Sequence, residues 1–151
     1  MKPISKAEQL KYIKQVGKDK KRLANECHEL WRKILFLRAS GLCEYYGCTR
    51  EATQPHHVKS KGHCVHLKYD PDNGMALCYP HHKGSNEAAH SDINFKDKIL
   101  GIYPGFKPIR TQQWLELLDL KASKSYKMDL LMEKLYLEEY YQNILNNLDK
   151  I

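Results

Sequence analysis

Residues 43–90 of this 151-residue chain hold four of its five cysteines and seven of its eight histidines. Thiols and imidazoles mixed at this density are typical of metal binding. The segment also contains two His-His pairs, at 56–57 and 81–82, with Asn73 between them. The order of these residues suggests a particular metal-assisted reaction.

Hydrolysis of a phosphodiester bond needs a deprotonated water, positive charge at the phosphate and a stabilised leaving oxygen. A divalent cation with open coordination positions can supply the positive charge and stabilise the leaving oxygen, and a neutral histidine can deprotonate the water. Neighbouring residues of a strand point to opposite faces, so one of His56 and His57 can face the metal and the other the water. His82, on a helix packed over that ribbon, can add a second ligand. The side-chain amide of Asn73 can orient an imidazole.

The elements around these residues are predicted to be mainly helical. Gly17 and the basic run after it weaken the first helix, which could therefore form two pieces or a loose arm. Ser40-Gly41 ends the next helix, and Thr111 could cap a later one. The predicted helices cover residues 5–25, 26–39, a stretch from 80 that reaches towards 89, a stretch after 111, and 125–148. Short extended pieces at 54–59 and 64–69, a turn at 70–74 and an irregular stretch at 95–110 complete the prediction.

The positive charge lies at the front of the chain. Residues 1–40 carry 11 Lys and Arg against 4 Asp and Glu, residues 41–110 carry 9 against 7, and residues 111–151 carry 5 against 7. A basic flank beside a metal-ligand cluster indicates a polyanion partner, most simply nucleic acid, although a solvated lysine-rich helix would look the same.

The chain has no apolar run near the roughly 18 residues of a membrane span, and its first residues lack a secretory apolar region. We therefore expect no membrane partner and a cytoplasmic location. In a reducing compartment, clustered cysteines favour a metal over disulfides.

The sequences PHHV, DPDNGMALC and HH, at their spacings here, resemble the HNH (ββα-metal) endonuclease motif. The upstream LWRKILFLRASGLCEYYGC is similar to the helix and knuckle that precede this motif in many such proteins. The block is most similar to the NinG (Rap) type of phage recombination nuclease, and the resemblance covers about residues 29–95. It implies a mainly α fold with a small β-hairpin: a basic helical extension at 1–40, an HNH core with a zinc knuckle at 41–95, and a linker with C-terminal helices at 96–151.

The resemblance also implies roles for single residues. His57 would be the general base, and Asn73 would orient it and brace the loop. His56 and His82 would hold the catalytic Mg²⁺ or Mn²⁺. His90 could add a ligand or only cap its helix. Lys59, Lys61 and Lys83 are candidate phosphate contacts.

A structural zinc is the second implied metal. Many relatives carry two Cys-x-x-Cys pairs, whereas here Tyr46 stands at one cysteine position and the second pair is Cys78-x-x-His81. A Cys₃His set remains, formed by Cys43, Cys48, Cys78 and His81. The alternative is a degenerate knuckle with buried thiols.

The sequence therefore predicts a metal-dependent DNA endonuclease with a one-metal mechanism, acting on branched or recombining phage DNA in a bacterial host. The alternatives are a zinc-stabilised DNA-binding module without catalysis and an RNA-directed nuclease. The apolar stripe of the last helix could pack inward or pair two chains as a homodimer.

Overall fold

The computed structural model describes residues 5–150, which form a mainly helical fold with one two-stranded antiparallel hairpin. None of its helices combines the length and apolar character that crossing a membrane requires. In chain order the elements are α1 (Lys6–Arg38), β1 (Gln54–His57), β2 (Gly74–Leu77), α2 (Phe95–Ile99), α3 (Gln112–Ser123) and α4 (Leu130–Leu148). Short 3₁₀ turns lie at Val65–Leu67 and Pro71–Asn73, and a π-helical turn at Pro80–Gly84.

Helix α1 is continuous over 33 residues, so the expected division near Gly17 and the expected separation into helices at 5–25 and 26–39 are both wrong. A glycine in a helix costs only about 1 kcal/mol relative to alanine, too little to break a helix that is capped at its start and packed along its second half. At the start, Ser5 and Glu8 form a reciprocal capping box. At the end, Ser40 and Gly41 take left-handed backbone angles (φ 52° and 73°), as the sequence predicts for this boundary.

The C-terminal half of α1 is the centre of the core. Cys27, Trp31, Ile34 and Leu35 are fully buried, and Leu137 of α4 packs against them. The α4 stripe thus packs partly inward, through Leu137 and the half-buried Tyr140 and Ile144, while Leu131, Met132, Leu135 and Tyr136 stay exposed. Met128, just before α4, also packs against this core.

The hairpin lies against this half of α1. β1 and β2 pair with His56 opposite Met75 and His57 opposite Gly74, and every β2 residue is buried. A Cβ at Gly74 would lie 2.5 Å from a Leu35 methyl and 2.8 Å from the Trp31 ring. Only glycine therefore lets α1 come this close to the hairpin.

Several local predictions need correction. The expected extended piece at 64–69 contains the first 3₁₀ turn, and the irregular stretch at 95–110 begins with α2. The helix predicted from Pro80 ends at Gly84, where the Ser85 hydroxyl donates to the Pro80 carbonyl. The cap at Thr111 is confirmed, since its side chain accepts from the Trp114 amide. Helix α4 begins only at Leu130, behind its Asp129 cap.

Candidate metal centres and active-site cleft

A cleft of about 600 Å³ opens between α1, β1 and the segment that contains the π-helical turn. Most of the histidines that the sequence singles out line it, and two lysines stand with them. We call it the histidine cleft; its polar lining includes His28, His56, His57, Lys61, His82, Lys83 and His90.

Three imidazoles meet in this cleft as a tri-histidine cluster of His56, His82 and His90. One potential ligand atom from each lies within 4.8 Å of the others. The Nε2 atoms of His82 and His90 are 3.1 Å apart. The Nδ1 atoms of His56 and His82 are buried and have no hydrogen-bond partner within residues 5–150. Buried nitrogens without partners, beside a pair of facing nitrogens, fit a bound cation.

The cluster is electrically neutral at pH 7. Burial, followed by the nearby His90 and His82, lowers the pKa of His56 to about 3. Burial, followed by His90 and Lys83, lowers the pKa of His82 to about 4. Burial also lowers the pKa of His90, with a contribution from Lys83. The ring nitrogens therefore keep their lone pairs, which is the form that binds a metal.

His57 points away from this cluster, onto α1. Its ring stacks on Trp31 at 4.3 Å and 18°, and its Nε2 lies 2.8 Å from the Lys68 carbonyl oxygen. A carbonyl only accepts, so Nε2 carries the proton and Nδ1 is left as a base. Burial lowers the pKa of His57 although the Lys68 carbonyl opposes the shift. The neutral tautomer required of a general base is thus held in place.

Asn73 does not hold an imidazole directly, so that part of the prediction is corrected. Its side chain is fully buried and makes three hydrogen bonds to backbone. Oδ1 accepts from the Lys59 amide at 2.6 Å, and Nδ2 donates to the carbonyls of Lys59 and Leu67, both at 3.0 Å. The amide thereby ties together the two ends of the loop between β1 and β2. Because His57 and Lys68 adjoin those ends, Asn73 supports the position of His57 through the loop.

The three candidate phosphate lysines differ in their surroundings. Lys61 and Lys83 are exposed at the histidine cleft. Lys59 is half-buried and paired with Asp119 of α3. Lys59 lines a separate cavity of about 220 Å³. Its charge is already compensated, so the structure does not support Lys59 as a free phosphate contact.

The second candidate metal centre is a cysteine cluster of Cys43, Cys48, Cys78 and His81, whose ligand atoms also lie within 4.8 Å of one another. The His81 Nδ1 is 3.5 Å from the Cys43 sulfur and 3.3 Å from the Cys78 sulfur, and the sulfurs of Cys48 and Cys78 are 3.9 Å apart. Tetrahedral zinc with bonds of about 2.3 Å to sulfur and 2.0 Å to nitrogen places its ligands about 3.5 to 3.8 Å apart. The cluster could therefore hold a metal ion such as zinc.

Backbone contacts from three parts of the chain assemble this cluster. Cys43 follows α1, and its amide donates to the Arg50 carbonyl to close the knuckle. Cys78 follows β2 directly. The His81 ring stacks on Tyr45 at 3.9 Å, which fixes Nδ1 towards the sulfurs. The resemblance to proteins with two Cys-x-x-Cys pairs, together with the spacing, was enough to name all four residues.

The thiols differ in acidity. Burial raises the pKa of Cys43 to about 12, so its sulfur stays protonated at neutral pH unless a cation binds. Burial also acts to raise the pKa of Cys78, but the His81 amide and the neighbouring thiols outweigh it and lower that pKa.

Two features of the site depend on the fold: the sequence left the role of His90 open between metal ligand and helix cap, and it gave no role to Trp31. His90 joins the cluster because the chain turns back after Gly84, with the amides of Ala89 and His90 donating to the carbonyls of His81 and His82. Trp31 stacks on His57 from a helix 26 positions earlier in the chain. Neither contact leaves a local spacing signal. No protein-family model, curated protein or solved structure matches this chain.

Proposed function

We propose that this protein is a metal-dependent endonuclease of the HNH type that hydrolyses DNA phosphodiester bonds. One observation carries the proposal: an oriented neutral base and a three-imidazole centre line the same cleft. Two exposed lysines at that cleft can receive the flanking phosphates.

His57 acts first in the proposed mechanism. Its Nδ1 takes a proton from the attacking water while the Lys68 carbonyl holds Nε2–H, so the imidazole leaves the step as an oriented cation. Stacking on Trp31 restrains the ring, and the Asn73 hydrogen bonds keep the Lys68 carbonyl in position.

His56, His82 and His90 would hold the catalytic cation. A divalent ion bound there supplies positive charge for the phosphate and for the leaving oxygen. Imidazole ligands suit Mn²⁺ or Zn²⁺ better than Mg²⁺, which prefers oxygen. We therefore expect Mn²⁺ to support more activity than Mg²⁺.

The cysteine cluster has a structural role in this proposal. Zinc held by Cys43, Cys48, Cys78 and His81 would join the knuckle, the end of β2 and the π-helical turn. His82 is the next residue of that turn, so a metal at His81 limits where the His82 imidazole can lie.

Nicking of supercoiled plasmid by zinc-loaded protein tests the function. We expect relaxation with Mn²⁺, none with excess EDTA, and loss of cleavage in His57→Ala with DNA binding retained. His63→Ala is the matched control, because His63 is exposed and does not line the histidine cleft. A fully active His57→Ala protein would rule out the assigned base.

The substrate panel adds branched DNA and RNA of the same length. Preferential cleavage of branched DNA supports a recombination substrate, whereas preferential cleavage of RNA supports an RNA-directed nuclease. Binding without cleavage under every metal condition would leave a zinc-stabilised DNA-binding module.

The ligand assignment is tested by Mn²⁺ titration of the cleavage rate. Since each variant loses one imidazole, His82→Ala and His90→Ala should need at least about tenfold more Mn²⁺ for half-maximal rate. A His90→Ala curve that overlays wild type would remove His90 from the ligand set.

A further inference from the structure

The N-terminal half of α1 projects beyond the core. Every side chain from residue 5 to residue 18 is exposed, whereas burial on α1 begins only at Cys27. Packing therefore places little constraint on the residue types of this half. Its charges are nevertheless arranged along the helix in a regular way.

A basic row follows one face of this helix. Four lysines, an asparagine and a histidine recur at intervals of three and four residues, which at about 100° per residue keeps them within an arc of about 100°. The basic row consists of Lys11, Lys14, Lys18, Lys21, Asn25 and His28.

Three acidic residues of α1 lie on a neighbouring face, whereas the exposed Glu29 lies on the arc of the basic row, beside His28. Glu8, Asp19 and Glu26 share that face with Arg22, whose guanidinium is 3.8 Å from Asp19 and 3.9 Å from Glu26. No lysine of the basic row enters an ion pair within residues 5–150. The row therefore presents unpaired positive charge to solvent.

The basic row ends in the histidine cleft. His28 lines that cleft, and Lys21 lines an adjoining groove of about 520 Å³ that also contains Lys68. The carbonyl of Lys68 is the group that holds His57. A polyanion lying on the row would therefore reach the base past a single exposed carboxylate of α1, that of Glu29.

We infer that the basic row binds the phosphate backbone of the DNA duplex that flanks the cleavage site. This inference rests on the proposed function and specifies its substrate as an extended duplex. From Lys11 to His28 the helix rises about 25 Å, which matches about seven base pairs at 3.4 Å each. A second copy of the chain is a poor occupant, because it would bring lysine rows of like charge together.

Salt-dependent binding tests the row without relying on catalysis. The protein is the zinc-loaded His57→Ala variant, and the probe is a labelled duplex of about 30 base pairs followed by fluorescence anisotropy. The row variant carries Lys11→Gln, Lys14→Gln and Lys18→Gln. The control removes the same charge from exposed lysines elsewhere, with Lys33→Gln, Lys107→Gln and Lys150→Gln.

Each lost phosphate contact should reduce the slope of log affinity against log salt by about 0.9, so the row variant should lose up to about 2.7. At about 0.15 M salt its affinity should fall on the order of 10²-fold. The control should keep the wild-type slope. Equal salt slopes for the row and control variants would overturn the inference. It would also be overturned if wild type bound a duplex RNA more tightly than the DNA duplex and the row variant lost the same salt slope on that RNA.

Cleavage by proteins with an intact His57 separates this inference from the proposed function. The row variant should lose kcat/KM on the long duplex but not on a hairpin with a stem of about 8 base pairs, which is too short to span cleft and row. Equal losses on both substrates would overturn the inference. Absence of cleavage by every protein, with the slope difference intact, would refute the nuclease and leave the row as a DNA-binding surface.

Discussion

Replacement of Asn73 by alanine tests the link between the loop and the base. The change removes three hydrogen bonds from a fully buried side chain. It leaves the amide and the carbonyl of Lys59 without a partner, whereas the Leu67 carbonyl still accepts from the Asp70 amide at 3.2 Å. Each of the three lost bonds should therefore cost about 0.5–1.5 kcal/mol, which sums to about 1.5–4.5 kcal/mol.

Urea unfolding of the zinc-loaded protein measures this loss. With a slope of about 2 kcal/mol per molar, a destabilisation of about 3 kcal/mol moves the midpoint by about 1.5 M. Asn73→Asp should be at least as destabilising as Asn73→Ala. It keeps the oxygen that accepts from the Lys59 amide, but it replaces the donating Nδ2 by a second oxygen that repels the carbonyls of Lys59 and Leu67. Asn86→Ala is the control, since Asn86 is exposed and an exposed substitution should stay within about 0.5 kcal/mol.

Activity at a temperature where Asn73→Ala remains folded completes the test. Release of the loop lets the Lys68 carbonyl shift, and a displacement of about 1 Å in a catalytic group can cost about 10²-fold in rate. A variant that unfolds within about 0.5 kcal/mol of wild type would refute the bracing role. A folded variant with full nicking activity would refute the coupling to His57.

Three further predictions concern the metal centres and the core. Cys78→Ser should abolish zinc binding and cooperative unfolding, since a structural zinc contributes on the order of 10 kcal/mol; metal analysis should show that Cys64→Ser, outside the cluster, keeps its zinc. Gly74→Ala should destabilise by about 1–3 kcal/mol in urea and quench or shift Trp31 fluorescence, because the new methyl meets that ring. Between pH 6.5 and 5 His56 becomes protonated only in the unfolded chain, because its pKa in the folded protein is about 3. In protein without a divalent cation at the tri-histidine cluster, His56 should therefore lower the free energy of unfolding by about 2 kcal/mol as the pH falls from 6.5 to 5. His56→Gln should remove this part of the pH dependence. If the free energy of unfolding of His56→Gln changed with pH as it does in wild type, the neutral, buried state assigned to His56 would be contradicted.

The cysteine cluster was predictable because its ligands lie in short local arrays. The Cys43 and Cys48 spacing and the Cys78-x-x-His81 spacing each constrain two ligands, so only the meeting of the two pairs depended on the fold. His56 and His82 were proposed as metal ligands from strand alternation and from the resemblance to the HNH motif. The mainly helical class followed from hydrophobic periodicity, whereas the hairpin followed from that resemblance, since the local pattern placed the second extended piece at 64–69 instead of Gly74–Leu77.

Long-range contacts explain what the sequence did not predict. Lys59 looks like any exposed lysine until α3 brings Asp119 to it. The amide of Asn73 has backbone partners because the intervening loop is compact. The continuity of α1 depends on its cap and on packing at its far end, which outweigh the local cost of Gly17. In each case the deciding partner is distant in sequence or belongs to the backbone, so residue type alone gives no signal.

The two candidate metal centres share one turn, and this determines how chelation should be interpreted. His81 belongs to the cysteine cluster and His82 to the tri-histidine cluster, within a turn of five residues. Removal of zinc would free His81 and with it the backbone that places His82. Strong chelators would therefore stop cleavage even if the tri-histidine cluster held no ion. A weak chelator that spares a Cys₃His site separates the effects, because it empties only the more weakly held ion. Loss of nicking under that condition, restored by Mn²⁺ alone, is the result that assigns the catalytic cation to the histidines.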